Sequence, residues 1–285
     1  MNNSYFCIIK TFRQQIIGIQ FDIIVFLSKK FNQIGRLQYF FSIPHKFVPL
    51  HPTNASVMLL DELKNYKIYL ASKSPRRREL LSGMGIDYEL ISTDVEESYD
   101  PSLPPAEVVQ YLSKLKLSPI DMSSYPAKTI FIACDTIVVI DGKIIGKPAD
   151  DNEAMNMLRQ LSGHTHTVYS GLTLATPSQT LTDYRATEVT FADLSEEEMR
   201  YYVQQYRPMD KAGAYGVQEW IGYVGIKAIE GSFYNVMGLP TRLLWEMLTT
   251  ITHGEVAWGR IHASKNARPC VSADQNQPCV SADNK

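Results

Sequence analysis

Between residues 66 and 251 the apolar positions repeat with a period of two in some stretches and three to four in others, and the switches mark the elements. Residues 66–71 predict a buried strand. A short polar turn follows, then a helix over about 76–84 that closes near Gly83 and Gly85. Residues 88–91 read as a second strand, and 105–117 as a helix with Val108, Val109, Leu112 and Leu115 on one face. The apolar, β-branched run 129–134 suits the middle of a sheet. Residues 137–140 and 143–145, joined by Asp141-Gly142, predict a hairpin. An amphipathic helix over 149–161 ends at Gly163, and strands follow at 166–175 and 187–191. Ser195 with Glu198 three positions on is a capping-box pattern opening another helix. A strand over 223–229 and a helix over 239–251 close the series. Alternating strands and helices with inserted hairpins predict one α/β domain of about 200 residues.

The pattern breaks at both ends. Residues 1–57 hold eight of the eleven phenylalanines and lack a clean period. They carry six basic residues and one acid, a net +5, so the remaining chain carries −7. Their basic residues are scattered as far as Lys46, which is unlike a signal peptide. We expect an N-terminal extension outside the fold, with Met58 as the natural start. A membrane-surface or partner-binding arm is the alternative for a basic, Phe-rich segment. At the other end, Pro269-Cys270-Val271-Ser272-Ala273-Asp274 recurs nine residues later from Pro278. Two copies of a small polar unit cannot build a core, so 263–285 is expected to be a disordered tail and 58–262 the domain.

Composition narrows the function classes. A net charge of −2 argues against binding DNA or RNA by bulk electrostatics. Four cysteines make neither a disulfide scaffold nor a zinc pattern. No run of 18 apolar residues predicts a transmembrane helix.

Three segments carry candidate chemistry. In Ser72-Lys73-Ser74-Pro75-Arg76-Arg77-Arg78 a strand gives way to a helix, with Ser74 as N-cap and Pro75 at the first helical position. Three arginines in a first turn have the wrong sign for the helix dipole. Together with free backbone N–H groups and hydroxyls they suit a polyphosphate; a solvated basic face is the bland reading. In Cys134-Asp135-Thr136 an ionisable group ends an apolar strand, where it needs a partner or a task, unless it merely forms the turn before the hairpin. Glu96 and Glu97 follow the second strand, and carboxylates facing an arginine-lined pocket are what a phosphate-bridging Mg²⁺ needs. The third segment, Asp210-Lys211-Ala212-Gly213-Ala214-Tyr215-Gly216-Val217-Gln218, offers Lys211 as a phosphate charge and Gln218 as a donor and acceptor for a base edge. Gly146-Lys147-Pro148 and Gly238-Leu239-Pro240 are further turns.

These motifs, in this order over roughly residues 66–250, resemble the Maf family of nucleoside triphosphate pyrophosphatases. The resemblance implies an α/β Maf/Ham1 (ITPase-like) fold, a long twisted mixed sheet in two lobes around a cleft, usually as a homodimer. It implies hydrolysis of a nucleoside triphosphate to monophosphate and pyrophosphate with a divalent metal cation, Mg²⁺ or Mn²⁺, in a cytoplasmic enzyme that guards the nucleotide pool. By the same resemblance Asp135 is the proton acceptor for the attacking water, Ser74, Arg77, Lys116 and Lys147 bind phosphate, and Glu97 joins Asp135 at the metal. The family's small residues around that lysine read Ser113 and Leu117 here. Arg76, Thr136 and Gln218 match the three positions of substrate choice. They agree with the branch acting on dTTP and UTP rather than the 7-methyl-GTP branch, which tends to Trp, Gln and Glu. Modified pyrimidine nucleotides are further candidate substrates. A nucleotide-binding regulator without turnover is the rival reading, against which the presence of both Asp135 and Glu97 counts.

Overall fold

The computed structural model describes residues 54–253. The chain runs α1 (Asn54–Leu63), β1 (Lys67–Leu70), α2 (Pro75–Gly83), β2 (Glu89–Leu90), α3 (Pro105–Leu115), β3 (Thr129–Ile140), β4 (Lys143–Ile145), α4 (Asp151–Leu161), β5 (Thr165–Ala175), β6 (Thr180–Phe191), α5 (Glu196–Tyr206), α6 (Trp220–Val224), β7 (Ile226–Glu230), α7 (Phe233–Met237) and α8 (Thr241–His253). The strands form one mixed sheet in the order β2-β1-β3-β5-β6-β7, with β4 also on β3. Pairing is parallel among β1, β2 and β3 and antiparallel elsewhere. This is the expected α/β fold with a mixed sheet. The calls on 1–57 and 263–285 lie outside the described residues, except that α1 begins at Asn54 and so crosses the expected boundary at 57/58.

β3 is the spine, and both its faces are covered. Ile130, Ile132 and Cys134 pack with Leu172 and Leu174 of β5 against Leu243, Leu244, Met247 and Leu248 of α8. Ile137 and Val139 pack under Val108, Val109 and Leu112 of α3. Val138 and Ile140 join the cluster built on α4 and α5, with Leu158, Leu161 and Tyr202 fully buried. Each such apolar side chain contributes roughly 1.5–3 kcal/mol by leaving water, so the apolar stripes of these helices decide where they dock.

Local signals are honoured where the chemistry is local. Asp141 and Gly142 take φ of 49° and 73°, the left-handed pair that a two-residue turn between right-twisted strands requires. Ser195 and Glu198 form the full capping box. Three expectations are corrected. β3 does not end at Cys134 but continues through Asp135 and Thr136 to Ile140, because Lys116 takes the Asp135 charge and Ser170 the Thr136 hydroxyl. β6 starts at Thr180, seven residues before the expected strand, since its first half is mostly half-exposed with Asp183 buried and shows no apolar alternation. Tyr223 lies in α6, and the last strand starts only at Ile226.

One histidine gives the fold a pH dependence. His166 of β5 is buried between Phe191 and Tyr215, with Nε2 2.8 Å from the Tyr215 hydroxyl. Burial pulls its pKa down from 6.5 to about 4. Below about pH 6.5 the unfolded chain therefore binds a proton that the folded chain refuses until about pH 4. Stability falls as pH drops through that window, by roughly 3 kcal/mol in full. Urea midpoints at pH 7 and 4.5 test this: the gap should narrow in His166→Gln, which cannot titrate.

Candidate active site

The site is built on a gap in strand pairing. One edge of β3 is paired throughout by β5, from Phe131 to Val139. The other edge is shared: β1 pairs it as far as Ile132, and β4 takes over at Val138. Between them, residues 133–137 face no strand on that side among the described residues. A cleft of about 810 Å³ opens there. Successive strand residues point to opposite faces, so Asp135 and Thr136 belong to different faces of the sheet. Both reach the cleft because no neighbouring strand separates them. Ser74, Arg76, Arg77, Glu97, Lys116, Asp135, Thr136, Lys147 and Gln218 all line it, so the nine residues named from the resemblance are brought to one place, whereas Glu96, offered beside Glu97, is not among the lining residues.

On the Asp135 face, Lys116 at the end of α3 places its ammonium between two carboxylates. It pairs with Asp135 and lies 3.3 Å from Glu97 Oε1. The Lys116 and Asp135 side chains are 13% and 11% exposed, that of Glu97 46%, so the pair sits at the bottom of the cleft with Glu97 at its lip. Among the described residues no group of three or more His, Cys, Asp or Glu side chains forms a metal cage.

On the Thr136 face, Arg77 is held from three sides. Nε donates to the Gly238 carbonyl at 2.7 Å, one terminal nitrogen to Thr136 Oγ1 at 3.1 Å, and the other to Ser72 Oγ at 3.4 Å. A guanidinium has donors left over for an anion after these three. Thr136 itself is 2.8 Å from Ser170 Oγ, which in turn donates to the Asn235 carbonyl at 3.1 Å. Ser74 is the N-cap of α2 as expected, but its hydroxyl makes no capping bond. All three arginines are partly buried, and Arg76 and Arg77 are engaged by side-chain or backbone partners, which removes the reading of a solvated basic face; the buried Arg78 Nε has no partner among the described residues.

The far wall is the loop after α5. Arg76 reaches across to Asp210 at 2.7 Å. Lys211, buried, pairs with Asp210 at 2.8 Å and Glu219 at 3.1 Å, so the lysine weighed as a phosphate charge is held by two carboxylates of its own loop. Tyr202 accepts from the Gly216 N–H at 2.9 Å and donates to Glu219. Burial raises the Tyr202 phenol, keeping it a neutral donor. Partial burial works against the Asp210 carboxylate, yet hydrogen bonds from Lys211 and Arg76 outweigh it and lower its pKa. Lys147 is exposed and has no ion pair among the described residues. The Gln218 Oε1 is buried and has no partner.

Three residues that shape the cleft are not singled out by the sequence: Ser170 and Asn235, which support Thr136, and Gly171, which pairs with Asp135; the Gly238 carbonyl that holds Arg77 belongs to a turn already noted. That turn, Gly238-Leu239-Pro240, is the only local signal among the four.

The chain matches the family described as Maf-like protein over residues 67–251, well over half its length. The chain belongs to the Maf family. A protein of Bacteroides thetaiotaomicron named dTTP/UTP pyrophosphatase is 50% identical over 188 residues, 66% of this chain and 97% of that one. A protein of Porphyromonas gingivalis with the same name is 49% identical over 197 residues, 67% of this chain and 96% of the relative. The structure of the Staphylococcus aureus Ham1 protein is similar with a TM-score of 0.33 and 17% identity, covering 45% of this chain and 72% of that chain. The matched Maf segment contains all nine expected site residues, from Ser74 to Gln218.

Proposed function

We propose that this Maf protein hydrolyses dTTP and UTP, and modified pyrimidine nucleotides of like shape, to the monophosphate and pyrophosphate. The observation that carries this reading is the pairing of two charge systems across one strand edge, Glu97–Lys116–Asp135 on one face of β3 and the anchored Arg77 on the other. The names of relatives matched over nearly their whole length support it. Arg77, Lys147 and the Ser74 hydroxyl hold the triphosphate, and Lys116, expected with them at the phosphates, directs its charge to Asp135 and Glu97 and reaches phosphate only from that position. Asp135 orients a water and takes its proton as the water oxygen bonds to the α-phosphorus. The bond from that phosphorus to the bridging oxygen breaks, and pyrophosphate leaves with the electron pair. Hard carboxylate oxygens converging on one positive charge fit Mg²⁺ or Mn²⁺, which takes one or two carboxylates and fills its shell with phosphate oxygens and water. Glu97 and Asp135 would hold it, and when bound it neutralises charge on the departing pyrophosphate. A cytoplasmic homodimer belongs to the same reading and rests on the family resemblance.

Base choice falls to Gln218. Its carboxamide can accept from N3–H of thymine or uracil and donate to O4. A buried carbonyl without a partner is a vacancy for such a donor. Thr136 acts through Arg77 rather than on the base. Pyrophosphate release from a panel of dTTP, UTP, ATP, GTP and 7-methyl-GTP tests the reading, which a purine preference would overturn. Gln218→Glu removes the donor to O4 and supplies two acceptors, which suit the paired N–H groups of guanine. The dTTP-to-GTP ratio of kcat/KM should fall by about 5- to 150-fold, for roughly 1–3 kcal/mol of mismatched hydrogen bonding.

A further inference from the structure

α3 lies closer to the sheet than any side chain at position 171 would permit. Gly171 of β5 pairs directly with Asp135 of β3, so the two share a sheet face. A Cβ built on Gly171 would stand 2.1 Å from the Val109 carbonyl oxygen, 2.3 Å from its carbon and 2.8 Å from the Gln110 nitrogen. All three are backbone atoms of α3, below the 3.0 Å that real Cβ contacts respect. Rotation of a side chain cannot relieve them; the helix would have to rise by about 1 Å.

What that helix carries gives the notch its consequence. Val109, Leu112, Ser113 and Lys116 follow at i, i+3, i+4 and i+7, one face of one helix. Val109 and Leu112 are buried on the sheet. Ser113, fully buried, is 2.8 Å from the hydroxyl of Thr173, two residues along β5 from the notch and on the same face. Lys116 comes next and ends at Asp135, the residue opposite the notch. The depth of α3 at Gly171 and its latch at Ser113–Thr173 thus set how far the Lys116 ammonium reaches between Asp135 and Glu97.

We propose that Gly171 is a positioning residue for the hydrolysis: the absence of a side chain there lets α3 sink to the depth at which Lys116 engages Asp135. Its effect on turnover rests on the function proposed above; its effect on Lys116 does not. In Gly171→Ala the helix lifts, and kcat for dTTP should fall about 30- to 100-fold, as misplacement of reacting groups by an ångström does. KM should change far less than kcat, because Lys116 is held by Asp135 and Glu97 and the other substrate contacts, Arg77, Lys147 and Gln218, stand on other elements. In a Lys116→Met background the same change should cost less than about threefold, since the contact it disturbs is already gone. An equal loss in both backgrounds overturns the proposal, because a general packing defect would act regardless of Lys116.

A second readout needs no turnover. Under trace acetylation read by mass spectrometry, Lys116 should label about tenfold more slowly than exposed Lys114 in the wild-type protein, and that protection should largely vanish in Gly171→Ala. Protection unchanged in Gly171→Ala, or absent from the wild type, overturns the proposal even if dTTP is a substrate. If the wild type released no pyrophosphate from any triphosphate, the functional reading would fall while the labelling still decided the role of Gly171. Should Gly171→Ala fail to fold, Thr173→Val removes the latch hydroxyl at constant volume. It should expose Lys116 to labelling several-fold, and unchanged protection there overturns the proposal equally.

Discussion

Asp135→Asn should bind dTTP and turn it over about 10²- to 10⁴-fold more slowly, the range that a positioned general base supplies. The amide has the shape of the carboxylate, and its oxygen can still accept from Lys116. Packing in β3 and the reach of Lys116 are therefore kept. What disappears is the capacity to take a proton from water, one negative charge beside the ammonium, and one of the two carboxylates that would hold the metal. Arg77, Lys147 and Gln218 are untouched, so the dissociation constant for dTTP should change far less than kcat. Single-turnover pyrophosphate release and equilibrium binding separate the two. Near-full turnover in Asp135→Asn would remove the assignment of the base.

Arg77→Lys comes second in size. A lysine keeps the charge but has one compact ammonium in place of a planar fork. Arg77 uses that fork to bind the Gly238 carbonyl, Thr136 and Ser72 at once, and still has donors for phosphate. An ammonium that turns to the phosphate deserts the Gly238 carbonyl; one that stays deserts the phosphate. Losing a charge-assisted bond of roughly 2–3 kcal/mol lowers kcat/KM about 30- to 150-fold. The melting temperature should barely move, because Arg77 is only partly buried. A loss of less than about threefold would show that the anchoring is not needed for turnover.

Elements with strong local rules were legible in advance. The Asp141-Gly142 hairpin, the Ser195–Glu198 capping box and the α2 start at Pro75 stand where the pattern puts them, because each depends on residues a few positions apart. The convergence of the nine expected residues on one cleft was also foreshadowed, mostly by motifs contiguous in the chain, while the part each plays stays with the proposed function. What was not legible depends on pairing between distant strands. Asp135 looks like a strand end in isolation; only Lys116, nineteen residues away, makes it tolerable in mid-strand. Gly171 sits in an ordinary alternating strand, and nothing near it in the chain announces that a helix backbone will rest on it. Asn235 is similar. Its amide reaches the Val168 carbonyl at 3.1 Å and Thr187 Oγ1 at 3.0 Å, fastening α7 to two strands that lie far back in the chain.

The open stretch of β3 ties the width of the cleft to parity. From residue 133 to 137 the strand spans about 13 Å at the usual rise per residue. Asp135 and Thr136 serve opposite faces, so one extra residue in the stretch would reverse the facing of every strand residue on one side of it. Placed between the two, it would bring the carboxylate and the threonine hydroxyl onto one face and separate one of them from its charge system. Only even insertions keep both charge systems in place, and each widens the opening by nearly 7 Å. A substrate slightly larger than a pyrimidine triphosphate therefore cannot be accommodated by stretching this strand. Its size has to be absorbed by the walls, on the loops that carry Arg76, Lys147 and Gln218.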